Sequence, residues 1–201
     1  MLRVSSNVAA VQVAQRLGPR AHHDALRAFG FGSPTGSGFP SESAGMLRSW
    51  REWKPVDHAT IAYGQGISAT PIQLAAATAA LANGGVWRTP RLVLARRPPE
   101  GEWAWARLGD ERRAVSEATA RRVLAMMRDV VSADGTGRLA GLAGVDVAGK
   151  TGTAQKIDPA TRAYSQRDYI AWFIGAVPAD APPLALAVAL DEPRSAHSGG
   201  I

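Results

Sequence analysis

The chain is predicted to fold as an α+β domain, with its helices first and a small sheet built from its last quarter. Three observations predict this. Apolar residues recur at helical spacing in three stretches before Ser132, and short apolar runs bounded by prolines follow after Val145. The two kinds of stretch do not alternate, which argues against a repeating strand–helix–strand layering.

The first helix is predicted after Asn7. Val8, Val11 and Ala14, with Leu17, share one side, and Gly18-Pro19 stops the run. Asn7 itself reads as a possible N-cap of this helix. Gly30 to Gly45, rich in Gly, Pro and Ser, reads as a long loop. The second helix has the fullest set of signals: Thr70 caps, Pro71 takes the first helical position, Gln73 completes a capping box, and Asn83-Gly84 supplies a left-handed stop. Pro98 to Gly101 marks a turn. The third helix spans Ser116 to about Val131, with Val123, Met127 and Val130 on one side and arginines on the other. One strand is expected to contain Val145 to Gln155. Tyr169 to Val177 and Leu184 to Leu190, bounded by Pro178 and Pro182-Pro183, read as two adjacent strands. Trp172 is expected in the core. Trp50, Trp53, Trp87, Trp103 and Trp105 are expected to be packing or loop anchors rather than a sugar-stacking platform.

A length of 201 residues, 46% of them apolar and 20% charged, suits one soluble domain with a core and excludes a disordered tail. No apolar run approaches the ~20 residues of a membrane-spanning helix, and no signal peptide precedes Val4. The net charge of +6 comes mostly from scattered arginines such as Arg96-Arg97, Arg112-Arg113 and Arg121-Arg122. There is no basic stripe interleaved with aromatics, so no nucleic-acid partner is expected. Cysteine is absent, and His22, His23, His58 and His197 lack metal-ligand spacing. Neither a metal nor a cofactor is expected.

Only three lysines stand against twenty arginines, and Lys150 belongs to two competing patterns. Gly144 to Thr151 satisfies the phosphate-loop pattern G-x-x-x-x-G-K-[ST], and the apolar run ending in Asp191-Glu192 mimics the acidic strand end that holds magnesium in such ATPases. The context opposes this reading. A phosphate loop needs a helix leaving it, whereas Thr151-Gly152-Thr153-Ala154-Gln155, with Pro159 close behind, suits a strand. Lys150-Thr151-Gly152 also satisfies the K-T-G pattern, and Ser5-Ser6-Asn7 satisfies S-x-N.

The wording around these two elements resembles the class B, division-type penicillin-binding transpeptidases. The resemblance runs in order through Ser5-Ser6-Asn7-Val8, Phe29-Gly30-Phe31-Gly32 with Pro34-Thr35-Gly36, Tyr63-Gly64-Gln65-Gly66-Ile67, Thr70-Pro71 to Asn83-Gly84-Gly85, Gly149 to Gln155, Ala171-Trp172-Phe173-Ile174-Gly175 and Asp191-Glu192-Pro193. It covers nearly the whole chain. It implies an antiparallel sheet packed between helices, as in penicillin-binding transpeptidases and serine β-lactamases. It also implies a peptidoglycan D,D-transpeptidase that takes D-Ala-D-Ala stem peptides through an acyl-enzyme, probed by β-lactams. By this resemblance Ser5 relays a proton, Asn7 holds the substrate amide and Lys150 supplies positive charge. Thr151 meets the substrate carboxylate, Gly152 lets a ligand backbone approach, and Thr153 gives its N–H to an oxyanion hole. Gln155 lies further along the same substrate-binding strand. Asp191-Glu192 is left out of the site as structural or substrate-proximal.

The chain departs from the family's pattern at its nucleophile and is expected to be cut short at both ends. No serine opens an S-x-x-K motif, because Thr153-Ala154-Gln155-Lys156 has the spacing but lies in the K-T-G strand. Residues 1–201 are therefore expected to be a partial transpeptidase domain, lacking the upstream S-x-x-K segment and a final helix. Without the serine no penicillin acylation is expected, and the sheet face such helices would cover is expected to be exposed, with poor solubility as the consequence. The parent is expected at the inner membrane, with this domain on the periplasmic side, alongside division-complex membrane proteins and a glycosyltransferase. A non-catalytic, muropeptide-binding descendant of the same fold stays open as an alternative.

Overall fold

A computed structural model describes residues 1–180, 182–194 and 199–200; His197 lies outside them. Helix α1 (Asn7–Leu17) opens the chain, capped by Ser6, whose hydroxyl accepts the Ala9 N–H at 3.3 Å. The cap is therefore Ser6 and not Asn7, which occupies the first helical position and keeps its carboxamide free of that duty. Only Ala14 of the predicted apolar stripe is buried; Val8 and Leu17 are exposed. Gly18, at φ +82°, ends α1, but helical structure does not stop there. Pro19 starts α2 (Pro19–Ala28) at once, because its fixed φ suits a first helical turn. Arg112 closes the far end of α2, donating from Nε to Ala28 O at 2.9 Å while its guanidinium stacks 3.7 Å over the Trp87 ring.

The predicted loop over residues 30–45 holds no helix or strand. Glu42 organises it, accepting from Thr35 N–H and Oγ1 and from Ser37 Oγ. A 3₁₀ turn (Trp50–Glu52) and the short helix α3 (Pro55–Ile61) follow. His22, His23 and His58 gather round Trp53 with ring centroids 5.3–5.7 Å apart, and no group of described residues is arranged to hold a metal.

Helix α4 (Pro71–Ala82) has the predicted capping box: Thr70 Oγ1 accepts from Gln73 N–H and Gln73 Oε1 accepts from Thr70 N–H. After it come β1 (Val86–Arg88), β2 (Ala95–Arg96), β3 (Ala104–Trp105) and β4 (Glu111–Arg113). β1 pairs with β4, and β2 with β3 forms a separate hairpin across the predicted Pro98–Gly101 turn. Trp87 packs in the core beneath α4, whereas Trp103 and Trp105 stand in solvent rather than packing.

Helix α5 (Glu117–Val131) begins at the Ser116 cap and buries Ala120, Leu124, Met127 and Val130. The main sheet follows: β5 (Ala148–Ile157), β6 (Tyr164–Val177) and β7 (Leu184–Asp191), antiparallel in the order β5-β6-β7. Ala148, Ile174 and Ala176 face α4 and α5 and form the core with Leu81, Leu124 and Met127. The opposite face bears Leu184, Leu186, Val188 and Leu190, all exposed. Trp172, expected in the core, is only half-buried.

The register puts Lys150 opposite Ile174, in the middle of a ten-residue strand with no helix leaving it. Gly149 precedes it because the Phe173 ring fills the space a side chain would need; a Cβ there would lie 2.5 Å from Phe173 Cζ. That glycine serves strand packing and not a phosphate cradle. Asp191 and Glu192 instead hold Lys156, at 3.0 and 2.6 Å. The ATPase reading fails on both counts.

Candidate functional site

The start of α1 and the edge strand β5 meet across an open cleft of about 700 Å³. All seven residues singled out in the sequence line it: Ser5, Asn7, Lys150, Thr151, Gly152, Thr153 and Gln155. The N-terminal pair arrives on a turn in which Ser5 N–H donates to Leu2 O at 3.1 Å and Ser6 N–H to Met1 O at 3.3 Å. Ser5 pays for its position with a left-handed backbone, φ +51°, which is sparsely populated for a residue with a side chain. The turn is fastened to the segment before β5 by Thr136 N–H, which donates to Arg3 O at 3.2 Å.

Lys150 reaches across to this turn. Its Nζ donates to Ser5 Oγ at 2.5 Å and to the Thr151 carbonyl at 2.5 Å, joining residues 145 positions apart. Among the described residues no carboxylate pairs with it. Burial holds its pKa below the ordinary lysine value. The group is thus a part-buried, unneutralised cation hydrogen-bonded to a hydroxyl, suited to stabilising a developing anion or to biasing where a neighbouring proton sits.

Alternation along β5 sends Lys150 to the face shared with α5 and Thr151 to the other. Thr151 is buried, with its Oγ1 2.9 Å from Thr136 Oγ1. Thr153 is exposed and its Oγ1 accepts from Gly199 N–H at 3.2 Å. Gln155 lines the cleft but spends its Nε2 on Ser165 O at 3.0 Å, bracing the β5–β6 connection. No described strand pairs with the outer edge of β5.

Nine further residues line the cleft and were not picked out as site residues, among them Tyr63, Gln65, Tyr164 and Tyr169. Tyr63 and Gln65 come from the tight segment after α3, where Gly64 and Gly66 take φ of +95° and +74°. The glycine spacing of Tyr63-Gly64-Gln65-Gly66 was a usable sign of a shaped loop. Tyr164 and Tyr169 come from β6, where an aromatic in a strand carries no positional signal. Thr136 was missed as well, since nothing in its local sequence marks it as the partner of Thr151.

Comparison with known proteins identifies the family of the chain. Residues 1–201 match the penicillin-binding protein transpeptidase domain. Penicillin-binding protein PbpB of Mycobacterium tuberculosis is 39% identical over 97% of this chain and 30% of its own length. The probable peptidoglycan D,D-transpeptidase PenA of Neisseria meningitidis is 36% identical over 100% and 33%. Stage V sporulation protein D of Bacillus subtilis is 38% identical over 94% and 29%. The chain therefore spans about a third of the length of these relatives. Among solved structures, penicillin-binding protein 3 of M. tuberculosis complexed with aztreonam superposes with a TM-score of 0.94 at 39% identity, over 98% of this chain and 46% of that one. The transpeptidase domain of penicillin-binding protein 3 from Burkholderia pseudomallei gives 0.81 at 34%, over 97% and 56%.

Proposed function

The chain belongs to the penicillin-binding protein transpeptidase domain family, and from that premise we propose that its parent protein is a serine-type peptidoglycan D,D-transpeptidase. It cross-links stem peptides during cell-wall synthesis of the division type. The observation that carries this reading is the 2.5 Å contact between Lys150 Nζ and Ser5 Oγ, in the cleft that Asn7 also lines.

The chemistry is acyl transfer in two steps. A serine attacks the carbonyl of the penultimate D-Ala, the terminal D-Ala leaves as its amine, and a neighbouring stem's amine then resolves the ester. Ser5 relays the proton to the leaving amine, since its hydroxyl donates and accepts at once, and Lys150 sets the direction by donating to Ser5 Oγ. Asn7 holds the stem's amide with a carboxamide that the helix cap does not use. The stem lies along the open edge of β5, with Thr151 and Thr153 receiving its carboxylate and the Thr153 N–H serving the oxyanion hole, where one donor is worth about 3 kcal/mol. Thr136 orients the Thr151 hydroxyl. β-Lactams use the same cleft as substrate mimics. The setting is extracytoplasmic, on a parent anchored in the inner membrane, with division-complex membrane proteins and a glycosyltransferase as partners.

The nucleophile comes from an S-x-x-K motif, which no serine among the 201 residues opens. The 201-residue chain is accordingly expected to form no acyl-enzyme. Incubated with a fluorescent penicillin, it should carry no label through denaturing electrophoresis. The parent reading frame should label, and should lose that labelling on Lys150→Met or Ser5→Ala. Label retained by the 201-residue chain would overturn the missing-serine account. A parent frame without S-x-x-K would favour a non-catalytic muropeptide binder instead.

A further inference from the structure

The β2–β3 hairpin stands apart from the cleft and from both other sheets. It is two strands wide, and no described strand pairs with either edge. Its side chains are unusual for a surface excursion. Leu94 is 60% exposed, Trp103 57%, Trp105 69% and Leu108 82%. The residue across from Trp105 is Ala95, whose methyl group cannot cover an indole. Trp103, two residues back, shares that face. So much apolar surface in one exposed segment marks an interaction site rather than ordinary surface scatter.

Charge narrows the occupant. Arg91, Arg96 and Arg107 are exposed and have no carboxylate partner among the described residues, unlike Arg88, which is held by Glu111 at 3.1 Å. Arg97 donates to Gly101 O at 3.1 Å and braces the turn. A partner with both anionic and apolar side chains would complement this hairpin. A lipid bilayer is a poor fit, because open strand edges find no hydrogen-bond partners in hydrocarbon, and Glu100 and Glu102 at the tip would meet anionic headgroups first. An extended protein segment satisfies both demands. Its backbone supplies the missing edge partners, and its alternating side chains supply apolar and acidic contacts.

We propose that the β2–β3 hairpin is a docking site for an extended segment of a partner protein that alternates apolar and acidic residues. The segment adds as a third strand, setting its apolar side chains against Trp103 and Trp105 on one face and a carboxylate against Arg96 on the other, with Arg107, beyond β3, meeting a further carboxylate at its end. This inference does not depend on the acyl-transfer reading.

The test uses a dye-labelled synthetic peptide alternating valine and glutamate, titrated into the 201-residue chain and followed by anisotropy. Saturable binding is expected that weakens at least ~10-fold in Trp103→Ser/Trp105→Ser and in Arg96→Glu/Arg107→Glu, and that falls with added salt. Methylating alternate peptide amides should abolish it, since edge pairing is then blocked. All four substituted residues are exposed, so circular dichroism and the unfolding midpoint should stay unchanged. Should the tryptophan pair disturb folding, the arginine pair alone decides. The proposal is overturned by any of four results: no saturable binding, binding that survives the substitutions, equal binding of a valine–lysine peptide, or binding of phosphatidylglycerol vesicles in place of the peptide.

Discussion

Lys150 carries its charge into a part-buried position where a serine hydroxyl and a carbonyl oxygen are its hydrogen-bond partners. Water has been removed from the ammonium with no carboxylate among the described residues to replace it, so the folded state holds the proton less tightly than the unfolded chain does. The sign of the stability effect follows. The unfolded state binds more protons between the depressed folded pKa and the ordinary lysine value of 10.5, so the cost is largest at neutral pH and fades as pH rises towards 10.5. Lys150→Met should therefore raise the unfolding midpoint at neutral pH even as it removes the function assigned to the residue. The gain is limited to about 2–4 °C, because the group is part-exposed and water screens it. Thermal unfolding of parent and variant at pH 7 and pH 10 checks this: the difference should shrink at the higher pH, and a variant less stable at pH 7 would contradict the assignment. The pairing of this lysine with Ser5 was legible in the sequence only through motif wording, since neither spacing nor periodicity brings residues 145 positions apart together.

Gln73 shows how one element can organise another. It is fully buried in α4, and beyond its part in the capping box its Nε2 donates to Ser33 O at 2.8 Å and to Ala44 O at 2.9 Å. Both ends of the irregular loop are thus tied to one helix position. Gln73→Ala would leave two loop carbonyls and the Thr70 N–H without partners and open a cavity. A loss of roughly 2–4 kcal/mol is expected, seen as a fall of about 5–15 °C in the unfolding midpoint. The capping box was readable because its partners are three residues apart; the loop anchoring was not, because they lie 40 and 29 residues away. The same division runs through the other elements. α4, α5 and the three sheet strands carry strong local signals and form close to where periodicity puts them. α2 was hidden because Gly18-Pro19 reads equally as the end of one helix and the start of the next. α3 is only seven residues long, too short for a periodic pattern. The strands β1 to β4 span two or three residues each and are defined by their partners rather than by their own composition.

At the scale of the whole molecule, α4 and α5 cover one face of the main sheet, and among the described residues the reverse face lies open along β7. α4 and α5 bury Ala148, Ile174 and Ala176, while the reverse side of β7 presents Leu184 at 65% exposure, Leu186 at 36%, Val188 at 47% and Leu190 at 54%. These four alternate with alanines that face α4, so their exposure follows from strand geometry and not from a distorted strand. Aligned on one strand, they form a continuous apolar strip, with Phe173 opposite Val188 extending it onto β6. In water such a strip should pair with copies of itself, and the 201-residue chain should aggregate with rising concentration. Because the strip contributes little to the core, replacing it should cost little stability. Leu186→Thr/Val188→Thr, which puts a β-branched residue at both strand positions, should raise the concentration at which light scattering sets in while leaving the unfolding midpoint within a few degrees. A variant that unfolds much more readily would mean that the strip is packed against something in the folded chain, contradicting an open face along β7.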